Sequence, residues 1–209
     1  MSNFSHPLFF GIFKFRMLPK IKTDTAPSSE EYIEQERQAD YKSEFAYGIV
    51  YAMSGASEKH NLIVVNLITE IGRQFKKRPC KVYANNMKVR VKETNYVYPD
   101  VVALCGEAKF ADNETDVLLN PTAVIEVLSE STTNYDRGKK FELYRRLESL
   151  QEYILIAQDS CYIEYHLKQG RQWLLTEFED IQDRLILSGI GCELLLEDIY
   201  DKVLWNGSS

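Results

Sequence analysis

Thr122-Ala123-Val124-Ile125-Glu126-Val127-Leu128 sets a single carboxylate inside an otherwise apolar run. A short apolar run of this kind reads as a strand covered on both faces. Upstream, Pro99-Asp100 opens a second such run, Val101-Val102-Ala103-Leu104. An ionised carboxylate buried there is costly unless something positive compensates it. Side chains alternate along a strand, so Asp100, Val102 and Leu104 share one face, and Val124, Glu126 and Leu128 share another. If the two strands pair with both acids on the same side, their oxygens can jointly hold a divalent cation. Mg²⁺ and Mn²⁺ suit such a set, because hard cations take oxygen ligands and keep several waters. A cation-bound water of lowered pKa can attack a phosphodiester, and the cation offsets charge on the phosphoryl oxygens.

That chemistry calls for a lysine nearby. Lys140 is the candidate: it lies one helical turn after Asp136 and one turn before Tyr144, so the three share a stripe. The helix follows the Glu126 strand directly and can reach back over the carboxylates. Lys139 points about 100° away around that helix and ranks second. Each residue has a plainer reading. Asp100 could be a strand-start residue, Glu126 the partner of a buried arginine, Lys140 a solvated helix residue, and His60 a satisfied structural histidine.

Working outward, Ser28-x-x-Glu31 after Pro27 forms a capping box for a short helix to about Gln38. Glu44 to Tyr47 and Ile49 to Met53 flank Gly48 as two short strands around a tight turn. Ser57 caps a helix from about Glu58 to Lys77, in which Val64, Leu67, Ile68, Ile71 and Phe75 recur at spacings of three and four. Residues 81–92 alternate, with Val82, Met87, Val89 and Val91 against Lys88, Arg90 and Lys92, and read as one strand with a cationic face open to phosphates. After Glu126 come a helix over about Asp136 to Leu147 and a buried strand over Gln151 to Ala157. A hairpin around Gln169-Gly170 follows, then a strand-like stretch and a helical turn between Cys192 and Val203.

The expected fold is therefore α/β, with one domain over residues 28–205 and residues 1–27 as a flexible arm. Met17 offers a second start, which would leave residues 1–16 outside the native chain. With 209 residues, 44% hydrophobic and 27% charged, the composition is that of a soluble globular protein, and no apolar stretch approaches the roughly 18–20 residues that span a bilayer. No membrane partner and a cytoplasmic location are expected. Cys80, Cys105, Cys161 and Cys192 are widely spaced, which argues against a zinc site, and the thiols are expected to stay reduced. A net charge of −6 is awkward for a nucleic-acid partner, yet Lys76-Lys77-Arg78 with Lys81, the Lys88/Arg90/Lys92 group, and Arg137 to Arg146 concentrate basic residues locally.

In order along the chain stand Glu44-x-x-x-Gly48, Ala52-Met53-x-Gly55, His60-Asn61, Pro99-Asp100-Val101-Val102, Ile125-Glu126-Val127-Leu128-Ser129, Thr132, and Asp136-Arg137-Gly138-x-Lys140-x-x-x-Tyr144-Arg145. This pattern resembles the Uma2 family, also called DUF820, of restriction-endonuclease-like proteins, over about residues 28–200. The resemblance implies the PD-(D/E)xK core of helix, three strands, helix and strand, with an added N-terminal helix and hairpin and a C-terminal hairpin. Asp100 and Glu126 would then be the metal carboxylates. The usual lysine, two residues past the glutamate, would fall at Leu128, which cannot serve, and Lys140 on the next helix takes its place. Glu44 could add a carboxylate, as N-terminal elements of such nucleases often do, with His60, Asp136 and Tyr144 in support. Ala157 departs from the pattern, standing where an acid is expected after Glu152-Tyr153.

The expectation is a metal-dependent DNA endonuclease and, since a double-strand cutter of this fold needs two active sites, a homodimer. Two rivals stand beside it: a catalytically silent nucleic-acid-binding module of the same fold, and an enzyme using the acid pair on a sugar.

Overall fold

The computed structural model describes residues 27–53 and 55–205. Its centre is strand β8 (Ala123–Leu128), buried at every position. One face of β8 carries Ala123, Ile125 and Val127, which pack on Ile63, Leu67 and Ile71 of helix α2 (Glu58–Phe75). The other carries Val124 and Leu128, which meet Val89, Val91 and Val97 from a second sheet. This double cover is why the run reads as continuously apolar, and why Glu126 needs a partner.

Six strands form the main sheet, in the order β11-β10-β9-β8-β6-β3. They are β3 (Cys80–Ala84), β6 (Val101–Cys105), β8, β9 (Glu152–Ala157), β10 (Ile163–Gln169) and β11 (Gln172–Phe178). The β8–β9 pair is parallel and the other neighbours are antiparallel. A five-stranded sheet, ordered β2-β1-β5-β4-β7, comprises β1 (Ser43–Ala46), β2 (Ile49–Ala52), β4 (Lys88–Val91), β5 (Asn95–Val97) and β7 (Val117–Leu118). Helix α1 (Ser29–Gln38) opens on the expected capping box: Ser28 Oγ accepts from Glu31 N, and Glu31 reaches back to Ser28 N. Between β8 and β9 runs a helix in three parts: α3 (Thr133–Tyr135), a π-turn over Asp136–Lys140, and α4 (Phe141–Tyr144). Strands β12 (Arg184–Leu187) and β13 (Cys192–Leu195) pair as a ribbon over the α2 side, and helix α5 (Leu196–Ile199) ends the fold.

The expected core order holds, as α2, β3, β6, β8, the 133–144 helix and β9, with the N-terminal helix and hairpin and the β10–β11 hairpin in place. Three readings need correction. Residues 81–92 are two strands in different sheets. Their alternation runs through Asn85-Asn86, where Asn85 adopts φ 34° and donates its N–H to Asp100 O, turning the chain out of the main sheet. The helix expected over 136–147 begins at Thr133 and contains a π-turn. Cys80 and Cys105 are joined in a disulfide, because the β3–β6 register sets these distant residues opposite each other; Cys161 and Cys192 are free. The arm at 1–26 lies outside the described residues. Among the described residues no helix is long and apolar enough to cross a membrane.

Candidate active site

The pairing of Val101 with Ile125 and Val102 with Val124, carried one step further, sets Asp100 opposite Glu126. Glu126 therefore faces the second sheet, while the Asp100 carboxylate, just before β6, lies between the backbone of β8 and helix α2. Asp100 N lies 3.4 Å from Glu126 Oε2, and Val127 N donates to Asp100 Oδ2 at 2.8 Å. The remaining oxygen of Asp100, Oδ1, sits 3.1 Å from His60 Nε2. His60 stands in the first turn of α2, where Ser57 Oγ accepts from its N–H, so the helix cap also fixes the imidazole.

Lys140 enters from the π-turn and is buried with its ammonium among acids. Nζ lies 3.0 Å from Glu44 Oε1 and 3.0 Å from Glu126 Oε1, with Asp136 Oδ1 at 3.9 Å. It also donates to the carbonyl of Tyr98 at 3.0 Å. Glu44 reaches the cluster from the fully buried strand β1, and is steadied by Tyr98 N at 2.9 Å and by the Tyr135 hydroxyl at 3.2 Å. Tyr144 is wholly buried below, its phenol pushed up by burial and by the nearby charges of Glu126 and Glu44. Asp100, Glu126, Lys140, Glu44, His60, Asp136 and Tyr144 thus lie together.

Two contributors escaped the sequence. The Tyr98 backbone supplies a donor and an acceptor, and no side-chain pattern marks a backbone role. Tyr135, just before Asp136, could have been found by asking which hydroxyl the helix turns toward Glu44.

The Lys88/Arg90/Lys92 group behaves otherwise. Lys88 is buried, paired with Asp116 at 3.0 Å and set over the Tyr98 ring. Arg90 is half-buried, and Lys92 sits exposed in a turn with φ 53°. The three form no single exposed cationic face, because β4 is covered on the side where Lys88 points. Exposed basic residues instead lie on the helix that carries Lys140. Arg137 is paired with Glu164 and Arg146 with Glu142, while Lys139 and Arg145 extend beside them.

Electrostatically the cluster is overfilled. Four carboxylates, Glu44, Asp100, Glu126 and Asp136, share one ammonium and the His60 imidazole. Burial pushes Glu126 well above the usual carboxylate range, with Lys140 opposing and the other three acids adding. Burial lifts Asp136 to about 6, again against the pull of Lys140. Burial alone would lower Lys140, but Glu126, Glu44 and Asp136 hold it well above its ordinary value, so it stays cationic. Among the described residues no three acids, histidines or cysteines are already gathered as a metal cage. The donor chemistry nevertheless fits a divalent cation. Asp100 and Glu126 adjoin, and the surplus charge around them is negative.

The sequence model of the Uma2 family, described as "putative restriction endonuclease", matches residues 29–197. Two uncharacterized proteins of Synechocystis sp. (strain PCC 6803) are similar. The protein sll1609 is 38% identical over 159 residues, covering 75% of this chain and 90% of the relative. The protein slr1290 is 35% identical over 175 residues, covering 83% and 90%. A crystal structure from Anabaena variabilis, described as a "putative nuclease belonging to DUF820", superposes with a TM-score of 0.72 at 16% identity, over 85% of this chain and 99% of that one. At that identity the likeness speaks for the fold.

Proposed function

The chain belongs to the Uma2 family, and from that premise we propose that it is a metal-dependent endonuclease hydrolysing phosphodiester bonds of DNA. One observation supports the reading: Asp100 and Glu126 adjoin, the Asp100 N–H 3.4 Å from Glu126 Oε2, with Lys140 bound beside Glu126. Asp100 and Glu126 would hold Mg²⁺ or Mn²⁺, which when bound supplies an acidified water and charge neutralisation.

The chain's own residues do the rest. His60 fixes the Asp100 carboxylate through Oδ1, leaving its orientation set before any ligand arrives. Lys140, kept protonated by its acidic neighbours, places a fixed positive charge beside Glu126. That charge offsets the negative charge building on the phosphoryl oxygens, among buried groups where water screens little. Glu44 holds Lys140 in place and is itself held by Tyr98 and Tyr135. Lys139 and Arg145, on the same helix, are the residues best placed for phosphate contact, while the buried Lys88 drops out of that role. Cleavage of both strands of a duplex would need two such sites, and hence a homodimer.

The test is plasmid cleavage in Mg²⁺ and in Mn²⁺, with wild type beside Asp100→Asn and Lys140→Ala. The wild type should cut only with metal, and both variants should lose at least about a hundredfold in rate, as expected when a charged catalytic group is removed. Salt-sensitive DNA binding, unaffected by Glu126→Gln and without product at any metal concentration, would overturn the enzyme in favour of a silent binding module.

A further inference from the structure

Strand β11 ends the main sheet, and among the described residues no strand pairs with its outer side. It is seven residues long, and Leu174 and Leu175 stand 49% and 46% exposed on it. Natural proteins usually blunt such an edge with lysine, proline or a bulge, since its free N–H and C=O groups are a template for another strand. Residues 171–178 read Arg171-Gln172-Trp173-Leu174-Leu175-Thr176-Glu177-Phe178, with no proline and no lysine.

We propose that β11 pairs with β11 of a second copy of this chain, antiparallel about a two-fold axis at Leu174, joining two six-stranded sheets into one. The occupant is identified by self-complementarity. A two-fold axis perpendicular to the sheet keeps like faces together, so partners across it share parity and each allowed register centres on a single residue. Centred on Leu174, the register sets Leu174 against its own copy, Trp173 against Leu175 and Gln172 against Thr176, and brings Arg171, in the hairpin turn just before β11, beside Glu177. Apolar meets apolar, polar meets polar, and each charge meets its opposite, twice over by symmetry. Centring on Leu175 would instead face Trp173 with Glu177 and Gln172 with Phe178. Centring on Trp173 would face Arg171 with Leu175 and Gln172 with Leu174.

Charge availability agrees. Arg171 is exposed, and Glu177, also exposed, accepts one hydrogen bond from Tyr162 through Oε1. The interface also adjoins the site's helix, because Trp173 packs edge-on against Phe141, the first residue of α4. The surface does not depend on the metal chemistry, and sedimentation reads assembly alone.

Sedimentation equilibrium on the full chain, with circular dichroism as a check on folding, tests it through a charge-swap cycle. Wild type should dimerise. Arg171→Glu and Glu177→Arg each place like charges at both symmetry-related contacts, and each should weaken the dimer by about tenfold or more, the scale of two cross-strand pairs reversed. The double variant Arg171→Glu/Glu177→Arg should recover wild-type affinity. Leu174→Lys, at the axis, should give monomer. A monomeric wild type, single variants that dimerise as tightly as wild type, or a double variant that fails to recover would each overturn the proposal.

Discussion

Asp136→Asn should make the protein more stable at alkaline pH and leave it almost unchanged in acid. Asp136 is 4% exposed, and burial lifts its carboxyl from 3.8 to about 6 despite the ammonium of Lys140 at 3.9 Å. The unfolded chain releases this proton near 3.8, while the folded chain keeps it to about 6. Between those values the folded state binds more protons, so stability falls as pH rises through the window. Above it the loss is complete, and about 2 pH units at about 1.36 kcal/mol each amount to about 3 kcal/mol. Asparagine keeps the shape and removes the charge. Urea unfolding in EDTA at pH 8 should therefore show the variant about 2–3 kcal/mol more stable than wild type, and the gap should shrink to well under about 1 kcal/mol near pH 4. Adding Mg²⁺ at pH 8 should narrow the gap by stabilising the wild type, whose surplus charge the cation offsets. A variant no more stable at pH 8, or a gain equal at both pH values, would refute the account of a negatively overfilled cluster.

Three further outcomes follow from the same contacts. Lys140→Met leaves Glu44 and Glu126 buried without their shared ammonium, and should destabilise the protein by about 3–5 kcal/mol in EDTA at pH 8. Calorimetric titration should also show Mn²⁺ bound more tightly by this variant, and equal or weaker binding would mean that the ammonium does not compete for Glu126. His60→Ala frees Asp100 Oδ1 and should weaken Mn²⁺ binding about ten- to a hundredfold, the usual cost of removing a residue that orients a metal ligand. Titration of thiols in denaturant should count the two free cysteines, Cys161 and Cys192, before reduction and four after; four without reductant would contradict the Cys80–Cys105 bond.

What could be read in advance depended on where the signal resides. Glu126 was legible because a charge inside a doubly covered strand breaks an otherwise uniform apolar pattern, and Asp100 because, after Pro99, it opens the neighbouring apolar run. Lys140 was legible through its four-residue spacing from Asp136 and Tyr144, a stripe that survives although the intervening turn is π rather than α. That substitution depends on how the helix packs between β8 and β9, which side-chain periodicity does not encode. The split of residues 81–92 was marked by Asn85-Asn86 but masked by alternation continuing across it. The Cys80–Cys105 bond needed the β3–β6 register, a property of pairing and not of either segment alone.

The position of the lysine follows from the second sheet. Leu128, two residues past Glu126 on the same face, lies 5% exposed among Val124, Tyr144 and Leu155. An ammonium there would be buried in an apolar layer without a second acid, at a cost of several kcal/mol. Brought instead from the π-turn, the ammonium stands between Glu126 of the main sheet and Glu44 of the other, and both acids hold it. The N-terminal helix and hairpin are then part of the site, because β1 can deliver Glu44 only while paired with β2 and β5. A chain that kept Asp100, Glu126 and Lys140 but lost β1 would leave the ammonium with fewer acids around it and its position less determined.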